Sequence, residues 1–215
     1  MSERLKNIAI YGAGGFGREV SCLIEEINKV VPTWNFVGFF DNRYKKGDVI
    51  DRGPIAGTIE ELNSITEPLS IVICNGQPEK REIMRNEITS NLVNFPNIVH
   101  PDTYFSDPKL FSMGCGNIIT KDCNFSIAIK LGDFNVFNGD FSMGHDCTVG
   151  NYNSFMPSVR ISGNVTINDY NYFGVSSTVI QGLKIGNNVR LGANSALIRN
   201  PKDKNLYIGV PAKKF

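Results

Sequence analysis

The sequence predicts two folds joined end to end, a glycine-rich α/β domain and then a parallel β-helix. From Met113 to Leu197 every sixth residue is apolar, and no insertion breaks the register. Ahead of this repeat, a short β-branched run ends in a glycine cluster that leads into apolar residues at helical spacing. Between the two stretches stands His100-Pro101, and a residue before proline favours extended backbone. We therefore expect domains at residues 1–100 and 101–215.

The six-residue period excludes an α-helix, which repeats near 3.6, and an ordinary strand, which repeats at two. It is typical of a parallel β-helix in which three hexads complete one triangular coil. The apolar positions, called anchors below, are Met113, Ile119, Phe125, Leu131, Phe137, Met143, Val149, Phe155, Ile161, Ile167, Phe173, Val179, Ile185, Leu191 and Leu197. Glycine follows several anchors, where a Cβ would crowd the next coil.

The fourth residue after each anchor should also face inward. Apolar or thiol side chains stand there at Cys123, Ile129, Phe141, Cys147, Val159, Val165, Leu183 and Val189, and asparagines at Asn117, Asn135, Asn153 and Asn171. We expect the asparagines to stack as hydrogen-bonded ladders. Cys147 is on this inward column, which favours a place in the core over a nucleophilic role.

The first hundred residues predict half of a Rossmann fold. The expected elements are a strand at Ile8–Tyr11, the turn Gly12-Ala13-Gly14-Gly15-Phe16-Gly17 with a helix after it, strands at Phe36–Phe40 and Leu69–Cys74, a helix at Glu79–Asn91, and a last strand or linker at Leu92–Val99. Such a turn places phosphate oxygens on a helix N-terminus, although a tight crossing without a ligand also accounts for it. Asp41 lies where an acid meets a ribose hydroxyl in this kind of unit, or is simply a turn residue. NAD binding is disfavoured because it needs two such halves.

Composition and charge exclude several classes of function. The chain has 22 basic and 21 acidic residues and a net charge of +1, so it carries no electrostatic footprint for nucleic acid or an anionic membrane. Its five cysteines form no Cys-x-x-Cys pair, so neither a disulfide framework nor a metal site is expected, and a reducing cytoplasm fits best. No signal-peptide core and no run of eighteen apolar residues is found.

Only two histidines are available as a general base. His100 is explained by the extended backbone at the domain boundary. His145 stands two residues after the anchor Met143, at a corner that should face outward. One coil later stands Gly163, whose missing side chain would leave room beside the imidazole for a ligand. From the pattern alone, His145 is either a functional or an ordinary surface residue.

The hexads, the sequence Gly144-His145-Asp146-Cys147 and the tail Gly209-Val210-Pro211-Ala212-Lys213 resemble the hexapeptide-repeat acyltransferases. The chain is most similar to sugar O- and N-acetyltransferases of the sialic-acid O-acetyltransferase and bacillosamine (UDP-4-amino-sugar) N-acetyltransferase type. This resemblance implies a left-handed β-helix, acetyl-CoA as cosubstrate without a metal, and a homotrimer. It also implies that the amino-terminal domain holds the uridine diphosphate of a nucleotide-linked sugar.

The resemblance also implies roles for individual residues. In the β-helix, His145 is the catalytic base, Asp146 orients it, Gly163 donates a backbone N–H to the oxyanion, and Val175 and Ala193 line the pantetheine arm. The chain departs from some relatives at Ser154, where they have a second histidine that contacts the acetyl group. In the amino-terminal domain, Gly12, Ala13, Gly14 and Gly15 contact phosphate or ribose, Asp41 contacts the nucleoside, and Arg81 binds substrate. Lys213 or Lys214 would meet a phosphate of the coenzyme.

The predicted function is a cytoplasmic acetyltransferase that moves an acetyl group from acetyl-CoA to the amine of a UDP-amino sugar for surface glycan synthesis. One alternative is a sialic-acid-type sugar O-acetyltransferase. Another is a non-catalytic trimeric scaffold that binds nucleotides, and a third is an enzyme that uses nicotinamide. We expect no membrane span and no nucleic-acid partner.

Overall fold

The computed structural model describes residues 5–215, which form two compact units. The first unit comprises the described residues as far as Gly76 together with Lys80–Pro101, and the second comprises Gln77–Glu79 with Asp102–Phe215. Residues 1–4 of the predicted first domain lie outside the described part of the chain.

The first unit is built on a six-stranded sheet. In chain order its elements are β1 (Lys6–Tyr11), α1 (Gly15–Val30), β2 (Trp34–Phe40), β3 (Val49–Ile50), β4 (Gly53–Gly57), α2 (Ile59–Asn63), β5 (Leu69–Ile73), α3 (Pro78–Glu87), β6 (Val93–Asn94) and the short β7 (Ile98–Val99). The strand order is β3-β4-β2-β1-β5-β6, and every pair is parallel except β3 with β4. The carboxyl ends of β1, β2 and β5 therefore meet at one edge, where such sheets bind ligands.

The predicted strand–turn–helix at the start of this unit is confirmed. Ile8, Ala9 and Ile10 are completely buried, as expected for a central parallel strand that is covered on both faces. Helix α3 ends at Glu87, before the predicted end at Asn91, and the segment that follows it holds two short strands. The elements β3, β4 and α2 were not predicted, and α2 begins with a capping box between Thr58 and Glu61.

The second unit is a left-handed parallel β-helix with three faces. The first face contains Ile118–Ile119, Val136–Phe137, Ser154–Phe155, Tyr172–Phe173, Arg190–Leu191, Leu206–Ile208 and the antiparallel Lys213–Lys214. The second face contains Tyr104–Phe105, Asn124–Phe125, Ser142–Met143, Arg160–Ile161, Thr178–Val179 and Ala196–Leu197. The third face contains Phe111–Met113, preceded by a 3-10 turn at Pro108–Leu110, then Ile129–Leu131, Thr148–Val149, Thr166–Ile167 and Lys184–Ile185.

Strand pairing on these faces confirms the triangular coil. Phe125 pairs with Met143 on the second face and Val149 with Ile167 on the third, so each partner lies three hexads further along the chain. All anchors from Ile119 to Leu197 are buried. Phenylalanine rings on successive coils stack inside, with centroids 4.8 Å apart for Phe155 and Phe173.

The inward asparagines form the predicted ladder. Asn117, Asn135, Asn153 and Asn171 are all completely buried. The side-chain oxygens of the first three each accept from the next asparagine one coil on, both from its backbone N–H and from its amide; between Asn153 and Asn171 these distances are 2.9 and 3.0 Å. The oxygen of Asn171 accepts from the N–H of Val189 at 2.7 Å. Buried amides in a closed chain of hydrogen bonds hold the coils in register.

The corners of the β-helix turn at a residue that the sequence pattern did not reveal. Left-handed backbone occurs at the third residue after the anchor, as at Asp146 (φ 57°) and Asn164 (φ 55°). The glycines directly after anchors are needed for space instead: a Cβ on Gly144 would lie 2.5 Å from the backbone nitrogen of Gly163. Close stacking of coils thus selects glycine at one position, and the turn itself is made two residues later.

Candidate active site

His145 lies at the corner that follows the strand Ser142–Met143, and half of its side chain is exposed. Its Nδ1 lies 2.8 Å from Oδ2 of Asp146, whose side chain is also exposed. Asp146 is the left-handed residue of this corner, and there the two neighbouring side chains meet. The predicted pairing of these residues is therefore present in the structure.

The pairing decides which nitrogen of the imidazole is basic. A carboxylate only accepts hydrogen bonds, so in the neutral ring Nδ1 carries the proton and donates it to Asp146. The lone pair is then on Nε2, which is free to accept a proton from a reacting group. A carboxylate in this position also stabilises the imidazolium that forms.

Gly163 lies directly beneath the ring of His145. A Cβ at Gly163 would be 2.6 Å from Nε2 and 2.8 Å from Cε1, so only glycine leaves room for the imidazole where it is. The ring itself occupies the space that a side chain at Gly163 would need, and the expectation that a ligand lies beside the imidazole stays a prediction. Within residues 5–215 the N–H of Gly163 donates to no acceptor, so this backbone donor remains available.

Cys147 belongs to the core, as predicted. Cys147 is 1% exposed, and its thiol donates to the carbonyl oxygens of Ser162 and His145. Burial raises the pKa of the Cys147 thiol, which disfavours the thiolate that a covalent mechanism requires.

The other residues predicted to contact the cosubstrate lie elsewhere on the β-helix. Val175 and Ala193 are exposed and stack on successive coils at one corner, where the N–H of Asn194 donates to the carbonyl of Val175. That corner and the corner of His145 bound opposite edges of the second face. Ser154 lies on the first face and is completely buried, so within one chain no ligand on the surface reaches its hydroxyl.

The carboxy-terminal tail folds back on the last coils. Its strand Lys213–Lys214 pairs with Leu206–Ile208, the Val210–Pro211 peptide bond is cis, and the N–H of Ala196 donates to the carbonyl of Gly209. Lys213 and Lys214 are exposed. Their contact with a coenzyme phosphate stays a prediction.

A second candidate site is a cleft of about 440 Å³ in the first unit, called the nucleotide cleft below. Gly12, Gly14 and Gly15 line it at the turn between β1 and α1. Gly12 has a φ of 112°, and a Cβ there would lie 2.7 Å from the carbonyl of Cys74, so the turn requires glycine. Helix α1 starts without a side-chain cap and without an acid in its first turn. Its N-terminal N–H groups are therefore available to an anion.

Two of the predicted substrate contacts, Ala13 and Asp41, are already engaged with each other. Asp41 is buried at the end of β2, and its carboxylate accepts from the N–H of Ala13 at 2.8 Å and from the guanidinium of Arg43 at 2.7 and 2.9 Å. Burial by itself raises the pKa of Asp41, but the hydrogen bonds from Arg43 and Ala13 outweigh it and hold the pKa below its usual value. Asp41 is thus engaged with Ala13 and Arg43 in this structure, and its predicted contact with the nucleoside stays a prediction.

The structure places Arg81 inside the first unit, and its predicted contact with substrate stays a prediction. Arg81 is 1% exposed, and its Nη1 donates to the carbonyl of Asn75 at 2.7 Å. It supports the loop after β5 from inside the unit, while Asn75 and Gly76 themselves line the nucleotide cleft. A buried guanidinium held in this way positions the wall of the cleft.

The nucleotide cleft contains further residues that sequence reasoning missed. Arg43, Met84, Tyr11 and Glu87 all line it. The Tyr11 hydroxyl donates to Oε2 of Glu87 at 2.5 Å. Burial and then the neighbouring Glu87 carboxylate raise the pKa of Tyr11 well above its usual range. Arg43 stands two residues after Asp41, and this proximity to a strand end is a signal that the sequence contains. Nothing in the pattern links Tyr11 to a residue 76 positions away.

Within the described part of the chain, no group of three or more His, Cys, Asp and Glu residues could hold a metal ion. Among residues 5–215, no helix has both the length and the apolar character needed to cross a membrane.

Comparison with known proteins matches both units. The sequence profile of the PglD N-terminal domain matches residues 7–88. No protein with a curated description matches the chain significantly in sequence. Among solved structures, the acetyltransferase domain of PglB from Neisseria gonorrhoeae FA1090 in complex with acetyl coenzyme A is 25% identical, with a TM-score of 0.87 over 99% of this chain and 100% of that one.

Two other solved structures share the fold over almost the whole chain. PerB from Caulobacter crescentus, in complex with CoA and GDP-perosamine, has a TM-score of 0.82 at 23% identity and covers 99% of this chain and 98% of its own. WeeI from Acinetobacter baumannii AYE has a TM-score of 0.83 at 22% identity, and the match covers 98% of this chain and 100% of WeeI. At these identities the likeness shows the fold.

The β-helix, the exposed histidine at its corner and the glycine-lined cleft together define a two-unit hexapeptide-repeat protein. The chain therefore has the fold of the acetyltransferase domain of PglB, and its residues 7–88 match the PglD N-terminal domain. The resemblance predicted from the sequence is thereby confirmed.

Proposed function

We propose that the protein transfers an acetyl group from acetyl-CoA to the amine of a nucleotide-linked amino sugar in the cytoplasm, with His145 as general base. The observation that carries the proposal is the geometry around His145. Its Nδ1 is paired with Asp146 at 2.8 Å, and the ring lies on Gly163. A surface histidine without a function needs neither a carboxylate to set its tautomer nor a glycine beneath it.

The reaction is a direct acyl transfer. The neutral amine of the sugar attacks the thioester carbonyl of acetyl-CoA, and Nε2 of His145 takes the proton that the nitrogen loses. The tetrahedral intermediate collapses, the carbon–sulfur bond breaks, and the imidazolium returns the proton to the leaving thiolate. Asp146 stabilises the imidazolium between these two steps.

Gly163 supports the same step with its backbone. Its N–H has no acceptor within the described chain, and the residue itself lies against the ring of His145. A preorganised N–H of this kind stabilises the negative charge that develops on the carbonyl oxygen. The general base, His145, and the oxyanion donor, Gly163, then lie on successive coils at the same corner of the β-helix.

The nucleotide cleft binds the nucleotide part of the substrate and so holds the sugar. The uncapped N-terminus of α1 is its positive group, and it favours a diphosphate. A solved structure of the same fold holds GDP-perosamine and CoA, which supports a nucleotide-linked amino sugar as the substrate class here. The uridine nucleotide predicted from the sequence stays a prediction.

We also propose that the active form is a homotrimer. The exposed Val175 and Ala193 lie on the opposite edge of the second face from His145, so one chain alone does not bring them together. A threefold arrangement of prisms sets an edge of one chain beside an edge of the next and forms the pantetheine groove between them. A monomeric form, identified by light scattering, should therefore be inactive, and activity in that form would contradict the trimeric site.

The function is tested by acetyl-CoA consumption with a panel of nucleotide-linked amino sugars. His145→Ala should lower kcat by about 100-fold to 10,000-fold, the usual contribution of a general base. Lys130→Ala, which removes an exposed side chain on the third face, is the matched control and should keep the wild-type rate.

Equal rates for wild type and His145→Ala would refute the role of this histidine and favour a nucleotide-binding scaffold. Turnover with hydroxyl acceptors and none with amines would assign O-acetylation in place of N-acetylation. Mass spectrometry of the product distinguishes the two, because only an amide survives mild alkali.

A further inference from the structure

The nucleotide cleft carries one carboxylate without a cation. Asp41 is neutralised by Arg43, but Glu87 has no ion-pair partner among residues 5–215. Its Oε2 accepts from Tyr11 at 2.5 Å, and its Oε1 has no hydrogen-bond partner in the described chain. Glu87 is exposed at the cleft wall, so this oxygen is available to a ligand.

The charges in the cleft orient a nucleotide. The N-terminus of α1 is positive, and the Nη2 atom of Arg43 would be 3.8 Å from a Cβ on Gly14, the residue that precedes this helix. Glu87 is the last residue of α3, so its carboxylate coincides with the negative end of a helix dipole. A diphosphate is drawn to the first position and repelled from the second. The uncharged nucleobase is the part of the ligand that suits the wall at Glu87.

The Tyr11–Glu87 pair presents acceptors only. The Tyr11 proton is committed to the carboxylate, and the raised pKa of Tyr11 keeps that proton in place at neutral pH. A carboxylate accepts and never donates, so it favours a base edge with adjacent donors. The side chain of Met84, which approaches Gly12 in the same cleft, adds an apolar contact for a flat ring.

Nucleobases differ at the edge that such a carboxylate would meet. Guanine offers two neighbouring donors, N1–H and the N2 amine, which match the two oxygens of one carboxylate. Uracil offers a single N3–H between two carbonyl oxygens, and these are repelled by the second carboxylate oxygen. We infer that Glu87, held by Tyr11, is the specificity-determining residue for the nucleobase and selects a guanosine diphosphate sugar over a uridine diphosphate sugar. This inference rests on the proposed function, because it names the base of the same substrate.

The inference is tested by calorimetric titration of the full chain with GDP, IDP and UDP. IDP keeps N1–H and lacks the N2 amine, so it isolates the second hydrogen bond. GDP should bind about tenfold or more tighter than IDP and UDP, because a site built for a donor discriminates against analogues that lack it.

Glu87→Gln gives the sharpest outcome. Glutamine offers one acceptor and one donor, which suit the N3–H and a carbonyl of uracil and leave one guanine donor unmatched. The variant should therefore lose affinity for GDP, by about tenfold, and gain affinity for UDP. Tyr11→Phe should weaken GDP binding less and keep the order of preference, since the carboxylate remains. Glu19→Gln removes an exposed carboxylate on α1 outside the cleft and should change none of the affinities.

Three results separate the two proposals. Tight UDP binding by wild type, or an equal change for GDP and UDP in Glu87→Gln, would overturn the assignment of Glu87 and leave the acetyl transfer intact. If none of the three nucleotides binds to the folded chain, the proposal that the cleft binds the nucleotide part of the substrate is overturned. An inverted preference in Glu87→Gln is the result expected from the geometry.

Discussion

Substitution of Gly163 by alanine tests whether the placement of the imidazole, and not only its presence, supports catalysis. The new methyl group would lie 2.6, 2.8 and 2.9 Å from Nε2, Cε1 and Cδ2 of His145, whereas ordinary contacts begin near 3.4 Å. The ring must therefore move by roughly 1 Å or change rotamer, which breaks its 2.8 Å contact with Asp146. Gly163 is not in the left-handed region, so alanine costs its backbone little.

A displacement of this size costs a well-oriented reaction about 100-fold in rate. That factor corresponds to about 2.7 kcal/mol of transition-state stabilisation. We expect kcat of Gly163→Ala to fall by about this amount in the acetyl-CoA assay, while thermal unfolding changes little because the half-exposed ring can swing into solvent.

Gly139→Ala is the matched control, since Gly139 is also the second residue after an anchor but a Cβ there meets nothing closer than 3.5 Å. It should keep the wild-type kcat. In a His145→Ala background, Gly163→Ala should have no further effect. Full activity of Gly163→Ala would refute the idea that this glycine acts by leaving space for the ring of His145. An equally large loss of kcat when Gly163→Ala is added to His145→Ala would refute it as well.

Three other predictions concern the supporting structure. Asn153→Ala leaves two buried donors of Asn171 without their acceptor. The free energy of unfolding measured by urea denaturation should therefore fall by about 2–6 kcal/mol. A loss under about 1 kcal/mol would contradict a stabilising role of the asparagine ladder. Because the pKa of Asp41 is lowered in the folded chain, its stabilisation should be complete above about pH 4 and disappear as the pH falls further. Asp41→Asn should remove that part of the pH dependence, and an unchanged pH profile would argue against it. Ellman's reagent should modify the exposed Cys22 and Cys115 quickly and the three buried thiols only after denaturation; fast reaction of more than two thiols would be inconsistent with this.

The β-helix was predictable because its period is local. Three hexads close one coil, so the spacing along the chain decides which side chains face inward and which residues stack. The anchors, the asparagine ladder, the inward Cys147 and the outward His145 all follow from that count.

The first unit was less predictable. Strand β4 reads Gly-Pro-Ile-Ala-Gly, which carries almost no strand propensity and is recognised only because it pairs with β2. Helix α2 has five residues, too few for a periodic signal. The interior position of Arg81 could not be foreseen either, because charged side chains are rarely buried and the loop carbonyl that holds it is set by tertiary packing.

By itself, the sequence determined the class of fold, the register of the coils and the single histidine on a corner, because each depends on spacing within a few dozen residues. Only the tertiary structure decided which side chains meet in the two candidate sites. It placed the ring of His145 over Gly163, engaged Asp41 with Ala13 and Arg43, and joined Tyr11 to Glu87. These contacts arise where strand ends meet or coils stack, and side-chain direction there depends on backbone turns and neighbours that no periodic pattern records.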